Sequence, residues 1–151
     1  MHTVERTLAI IKPDAMQKKV MGKIIAMIEE NNFTIIAIKQ LHLSVATAQK
    51  FYEVHKGKSF YDKLIEFMCN GPCVVMVIEG DSAIDRWRTL MGPTDPSNAP
   101  EGSIRRQFGT TVRHNAVHGS DSPESALSEI AFFFSEIDLL SPSPFSKESS
   151  N

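Results

Sequence analysis

Six consecutive apolar side chains, Cys73-Val74-Val75-Met76-Val77-Ile78, stand between the breaker pair Gly71-Pro72 and Gly80. The run is far too short to cross a bilayer, and its β-branched content between two breakers reads as a strand. A strand without polar alternation offers no face to water and is covered on both sides. Any fold for this chain has to provide that cover.

The rest of the pattern supplies candidates. Thr7-Leu8-Ala9-Ile10-Ile11 is a second apolar run, stopped by Lys12-Pro13-Asp14, and reads as a central strand ending in a turn because proline cannot donate to a ladder. Val20, Ile24, Met27 and Ile28 recur at helical spacing, which predicts a helix over about Met21 to Glu30, closed by Asn31-Asn32. Ile-rich Thr34 to Leu43 reads as a strand, after which Ser44 can cap a helix running towards His55; a further short helix is expected over Phe60 to Cys69. Asp81 or Ser82 caps a helix holding Ile84, Trp87, Arg88 and Met91, ended by Gly92-Pro93. Thr94 to Gly102 is an irregular loop of the kind that often carries function, and Arg105 follows in a short helix. Ala126, Ile130, Phe133 and Phe134 form a last helical stripe, with Glu129 beside it facing back towards the preceding turn. Four strands with intervening helices in a single layer predict an α+β fold of the ferredoxin-like βαββαβ type, an antiparallel four-stranded sheet with covering helices and an inserted loop. No repeat or internal boundary interrupts it. One domain is expected over 1–140, followed by a Ser/Pro-rich tail over 141–151 that is mobile or orders against a neighbouring subunit.

Composition narrows the function classes. With 16 basic and 18 acidic side chains the formal net charge is −2, so any basic site is local rather than spread over the surface. Met1 to Ile11 lacks the cationic start and long apolar stretch of a signal peptide, which makes a cytoplasmic protein without a membrane partner the expectation. Cys69 and Cys73 have neither metal-ligand spacing nor a Cys/His cluster around them, and read as thiols, one of them buried in a strand. Gly57-Lys58-Ser59 imitates the end of a phosphate-binding loop, but the first glycine of that pattern would fall at Tyr52. A phosphate site in this chain must be made of side chains.

Chemistry concentrates in Asn115-Ala116-Val117-His118-Gly119-Ser120-Asp121-Ser122. One imidazole sits among small residues, read here as a turn, just before a helix start marked by Ser122, Pro123 and Glu124. A helix N-terminus favours anions. A free imidazole titrates near about 6.5 and is mostly neutral at pH 7, whereas an amine near about 10.4 is almost wholly protonated. His118 is therefore the better nucleophile towards a terminal phosphoryl group, and a phosphohistidine would divide one transfer into two simpler steps. Taken locally, the same histidine could equally pack or cap a turn.

Wider agreement decides between these. From about Val4 to Phe134 the chain resembles a nucleoside diphosphate kinase, in Thr7 through Asp14, Tyr52-Glu53-Val54-His55 with Phe60, Gly71-Pro72, Arg88, Gly92-Pro93-Thr94-Asp95-Pro96, Gly102-Ser103-Ile104-Arg105, and Asn115 through Ser122 followed by Glu124-Ser125-Ala126. The resemblance implies transfer of the terminal phosphoryl group from a nucleoside triphosphate, typically ATP, to a nucleoside diphosphate, by a ping-pong route through Nδ1 of His118. Glu129 and Ser120 would orient the ring. Tyr52 would hydrogen-bond near the migrating group. Arg88 and Arg105 would hold the phosphates, with Thr94 donating from the loop and Lys12 reaching between sugar and phosphates. Phe60 would stack on the base, Leu64 and Val112 would close the slot, Asn115 would bond the ribose, and Gly119 would belong to the nucleotide site. Stacking accepts any ring, so broad base specificity is implied. Mg²⁺ would arrive on the nucleotide phosphates without a dedicated protein cage. The family also implies a homo-oligomer, tetramer or hexamer, built from a common dimer.

The chain departs from the family pattern at Ser59, where many members carry proline, at Gln107, where many are acidic, and at Arg113 and His114. These surround the expected pocket and remove no catalytic group. Two other classes fit less well. A nucleic-acid module on this fold needs exposed aromatics on strands, and these strands are aliphatic. A regulatory relative that had lost catalysis would be expected to lack His118 or a phosphate arginine.

Overall fold

A computed structural model of the chain describes residues 4–141, so the expected tail beyond Ser141 lies outside the described residues. Four strands form one antiparallel sheet: β1 (Val4–Ile11), β2 (Thr34–Leu41), β3 (Cys73–Asp81) and β4 (Val117–Gly119), in the order β2-β3-β1-β4. β1 and β3 pair along their full length, from Val4 opposite Asp81 to Ile11 opposite Val74. The apolar run of β3 is buried from Cys73 through Glu79, as expected of a strand shielded on both faces.

Period-two alternation sorts these strands into two cores. Leu8, Ile10, Cys73, Val75 and Val77 point to one face, where they meet α3 (Val45–Phe51), α4 (Tyr61–Met68) and α7 (Pro123–Phe133). Ala9, Ile11, Val74, Met76 and Ile78 point to the other, under α1 (Pro13–Gln17), α2 (Met21–Glu30), α5 (Ala83–Met91) and α6 (Ile104–Phe108). The helices therefore form two layers, and the single layer read from the sequence is corrected. Amphipathic periodicity reports that a helix has a buried side, not which face of the sheet receives it.

Local signals hold at several ends. α2 has the bounds expected for it. Ser44 caps α3 by accepting from Thr47 N–H at 3.1 Å, and Ser122 caps α7 by accepting from Ser125 N–H at 3.1 Å. Other elements differ. The second strand ends at Leu41, two residues early. The helix expected to run to His55 stops at Phe51, and a 3-10 turn over Glu53–His55 follows. The Lys12-Pro13-Asp14 turn is the start of α1, with Pro13 where its missing N–H costs nothing. Ser82 occupies the N-cap position of α5 but in left-handed backbone, φ +48°, and its side chain makes no capping bond.

The main relocation concerns His118. It lies inside β4, paired with Ile10, rather than in a turn. Since Val117 belongs to the α2/α5 core, alternation turns His118 to the opposite face, towards α7 and α3.

Candidate active site

A cleft of about 1210 Å³ opens where the C-terminal end of β1, the start of α4, the end of α5, the loop after it and β4 converge. It is lined by Lys12, Tyr52, Phe60, Leu64, Arg88, Thr94, Arg105, Val112, Asn115, His118 and Gly119, together with His55, Arg113 and Asp121. Of the side chains singled out in the sequence, only Ser120 and Glu129 stand back from the wall, directly behind His118. These residues are scattered over more than a hundred positions of chain, and the sheet brings them together.

The histidine is held from behind. Its Nε2 lies 2.9 Å from Glu129 Oε1, and Ser120 Oγ donates to the same oxygen at 3.0 Å. Ser120 is in turn fixed, being fully buried and accepting Leu8 N–H at 3.2 Å. A carboxylate at Nε2 selects the tautomer with its proton there, leaving the Nδ1 lone pair unprotonated. Nδ1 has no hydrogen-bond partner among the described residues. Phe51 sets its ring edgewise to the imidazole at 5.8 Å between centroids, limiting rotation from the side. Trp87, wholly buried on α5, donates from Nε1 to the His118 carbonyl at 3.2 Å.

The backbone leading into β4 is strained. Ala116 has φ +74°, and Val117 N–H donates to Asn115 O at 2.9 Å, an i to i+2 bond that defines a γ-turn of the uncommon hand. Such conformations cost about 1 to 3 kcal/mol in a residue other than glycine. Ala116 N–H is taken by Asp14 Oδ2 at 3.0 Å and its carbonyl by Lys12 N–H at 2.9 Å. Asp14 and Trp87 escaped the sequence reading of the site. Each acts on residues more than thirty positions away, and no local spacing signals such a link.

The cations of the cleft differ in their engagement. Arg105 is buried and braces two segments, donating to the carbonyl of Gly92 at 2.8 Å after α5 and to those of Val117 at 2.8 Å and Asn115 at 3.3 Å at the entry to β4. Burial, and then Arg88 nearby, lower its pKa to about 10, still well charged at pH 7. A guanidinium carries five N–H groups, so two remain for a ligand. Arg88 is half-exposed and pairs with Asp121 at 2.5 Å. That pair faces water at the cleft lip and contributes little to stability. Lys12 is buried, its Nζ donating to Asn115 Oδ1 at 2.8 Å and Arg113 O at 3.1 Å. Burial is the main reason its pKa falls to about 8; Arg105 and Arg113 lower it further, while Asp14 opposes them. Asn115 also donates from Nδ2 to Thr94 O at 3.0 Å, tying the loop after α5 to the histidine segment.

The outer part of the cleft is apolar and open. Phe60 and Val112 are 42% and 55% exposed, far too much for core residues, and Leu64 is half-buried between them and the interior. That exposure excludes an ordinary core role for Phe60 and Val112. His55 stands 5.3 Å from the Phe60 ring, and burial followed by Lys58 lowers its pKa. Tyr52 is buried, which pushes its phenol upward and keeps it protonated. Cys73 is buried in β3 and away from the wall. Among the described residues no group of His, Cys, Asp and Glu is arranged to hold a metal ion, and Asp121 is the one carboxylate on the wall.

A cleft with Lys12, Arg88 and Arg105 beside an oriented imidazole and an apolar outer part fits an elongated anion with a flat ring. Comparison with known proteins agrees. Residues 5–139 match the family model described as nucleoside diphosphate kinase. A nucleoside diphosphate kinase of Persephonella marina is 54% identical over 138 residues, covering 91% of this chain and 99% of that relative; one from Helicobacter pylori strain P12 is 55% identical over 135 residues, covering 89% and 98%. Among solved structures, the Aquifex aeolicus nucleoside diphosphate kinase superposes with a TM-score of 0.90 at 47% identity, covering 91% of this chain and 100% of that one. A halophilic nucleoside diphosphate kinase from Halobacterium salinarum, solved in complex with CDP, gives 0.88 at 35% identity over 91% and 92%. With nearly its whole described length matched in sequence and in fold, the chain belongs to the nucleoside diphosphate kinase family of enzymes that transfer phosphoryl groups between nucleotides.

Proposed function

We propose that the enzyme works by a ping-pong cycle in which His118 carries the phosphoryl group. The observation that supports this most directly is the Glu129 contact at Nε2 of His118, which leaves Nδ1 as the nucleophilic nitrogen on the cleft floor. Nδ1 attacks the γ-phosphorus of a nucleoside triphosphate; an N–P bond forms, the bridging P–O bond breaks, and the diphosphate leaves with its electron pair. The ring becomes positively charged as it attacks, and the Glu129 carboxylate stabilises that charge. A second diphosphate then enters and its terminal oxygen reverses the step.

In this reading Arg88, Arg105 and Thr94 bind the phosphates, and Tyr52 points its hydroxyl towards the migrating group. Arg88 exchanges Asp121 for phosphate, a charge-assisted fork that carries more specificity than the exposed pair it replaces. Lys12 reaches between sugar and phosphates, and Asn115 bonds the ribose. Phe60, Leu64 and Val112 sandwich the base without reading its edge, and Gly119 belongs to the nucleotide site. Mg²⁺ fits as a passenger on the nucleotide, where it neutralises phosphate charge; the wall, with one carboxylate, holds no cage for it. We further propose a catalytic domain over 1–140 with the tail at 141–151, a cytoplasmic location, and a homo-oligomer, tetramer or hexamer. Among the described residues no helix is long and apolar enough to cross a membrane.

The direct test is incubation with γ-labelled ATP. An acid-labile label mapping to His118, discharged by added diphosphate, supports the cycle; a label that is acid-stable or sits elsewhere removes it.

Two further results are expected. Glu129→Gln keeps a hydrogen bond to Nε2 but no charge, and should slow His118 phosphorylation on the order of 10- to 100-fold with little change in diphosphate affinity. An unchanged single-turnover rate would take Glu129 out of the chemistry. Lys12 gives a pH signature. Its ammonium is disfavoured by burial in the free enzyme and favoured beside phosphates, so its pKa rises on binding. The dissociation constant for a diphosphate should therefore climb as pH passes about 8, by up to roughly tenfold per unit, until the pKa of the complex is reached. Lys12→Gln should bind weakly and flatten that profile in titration calorimetry, and a profile as steep as wild type would contradict the assignment.

A further inference from the structure

We propose that Asp14 is a positioning residue for the transfer, acting through Ala116 to hold the turn that presents His118 to the cleft. This rests on His118 being the phosphoryl carrier. Asp14 is not among the residues lining the cleft, so it works without touching nucleotide.

Ala116 adopts a conformation natural to glycine, at φ +74°, two residues before His118. A strained turn persists only where its surroundings over-determine it. Three hydrogen bonds do so: Val117 N–H to Asn115 O, Lys12 N–H to Ala116 O, and Ala116 N–H to Asp14 Oδ2. The first two are backbone to backbone and are present whatever the side chains. The third comes from a side chain 102 positions away, and it alone can be removed by substitution. Asp14 is itself immobile, being 7% exposed in the first turn of α1 behind Pro13.

The carboxylate is an expensive way to make that bond. Its Oδ1 is buried without a hydrogen-bond partner among the described residues, and a half-satisfied buried acid is a poor choice for stability alone. What it provides is a strong acceptor aimed at one amide. If Ala116 relaxed, the peptide entering β4 would rotate, and the His118 ring would lose its register against Glu129. Asp14 also faces the Lys12 ammonium, so a charge effect through Lys12 is the competing route, and the variants must separate the two.

The experiment uses the full chain with Asp14→Ala, Asp14→Asn, Asp14→Glu and the pair Asp14→Ala/Ala116→Gly. The readouts are single-turnover phosphorylation of His118 by ATP, the ADP dissociation constant, and hydrogen exchange of the Ala116 amide. Asp14→Ala should slow phosphorylation about 30- to 100-fold, keep ADP binding within about twofold and expose the amide to exchange. Asp14→Asn retains an acceptor and should stay within about threefold of wild type, whereas Asp14→Glu, charged but displaced by a methylene, should be slow. Adding Ala116→Gly to Asp14→Ala should recover about tenfold, because glycine takes a positive φ freely. If Asp14→Ala does not fold, the Asn and Glu variants carry the test alone. Asp14→Asn as slow as Asp14→Ala, or Asp14→Glu as fast as wild type, would place the effect on the charge at Lys12 and overturn the proposal. So would an undiminished rate in Asp14→Ala, or equal losses in rate and ADP affinity. Absence of label on wild-type His118 would instead fail the underlying cycle, which keeps the two failures distinct.

Discussion

His118→Ala is expected to lower phosphoryl transfer by roughly 10⁴-fold or more while leaving the fold intact, because it removes the only group proposed to bond to phosphorus. The ring is part-exposed on the cleft wall, so truncation opens no sealed cavity and should shift the unfolding temperature little. Diphosphate binding should survive, since Arg88, Arg105, Lys12 and Phe60 are untouched. Glu129 and Ser120 keep their bond to each other, which limits collapse behind the missing ring. The decisive combination is retained ADP binding by calorimetry with no acid-labile label. Uptake and discharge of label by the variant at a rate near wild type would show that another nucleophile carries the group.

The second large effect is one of space. Gly119 follows the histidine, and a Cβ built there would stand 2.6 Å from Trp87 Cδ1, 2.7 Å from Trp87 Nε1 and 2.7 Å from Met91 Cε. The methionine end can move, but the indole cannot: it is wholly buried and bonded to the His118 carbonyl. Overpacking of this kind costs typically 1 to 3 kcal/mol, and a rigid wall puts Gly119→Ala near about 3 kcal/mol. For a domain of this size the unfolding temperature should fall by roughly 6 to 12 °C. Activity should drop even in the folded fraction, since Trp87 must tilt and pull on the strand bearing the nucleophile. A thermal scan within about 2 °C of wild type, with normal transfer, would mean the indole is far more mobile than its burial implies.

Most of the architecture was legible in the chain because its signals are local. The unbroken apolar run of β3, the spacing of Ile24 and Ile28 in α2, and the caps Ser44 and Ser122 each depend on neighbours a few residues away. What escaped depends on partners far off. β4 is three residues long and exists as a strand because Val117–Gly119 pair with β1, so His118 looked like part of a turn. The second helical layer escaped for a related reason: nothing in an amphipathic stripe names the face it will cover. For the site, the motif pattern collected the wall residues, yet roles within it needed coordinates. Phe60 and Val112 are apolar, and only their exposure on the cleft wall sets them apart from core residues. Arg105, expected as a phosphate fork, spends three of its bonds bracing the carbonyls of Gly92, Asn115 and Val117. Asp14 gave no hint of its bond to Ala116.

On the proposed cycle, donor and acceptor must occupy the same place between Phe60 and Val112 by turns. A queue with one berth can be blocked. A diphosphate that enters before the histidine is charged has nothing to receive, and holds the place a triphosphate needs. Turnover should therefore rise and then fall as acceptor is added at fixed donor, with the peak moving upward in proportion to the donor supplied, so that the ratio of the two nucleotides, more than either alone, sets the pace.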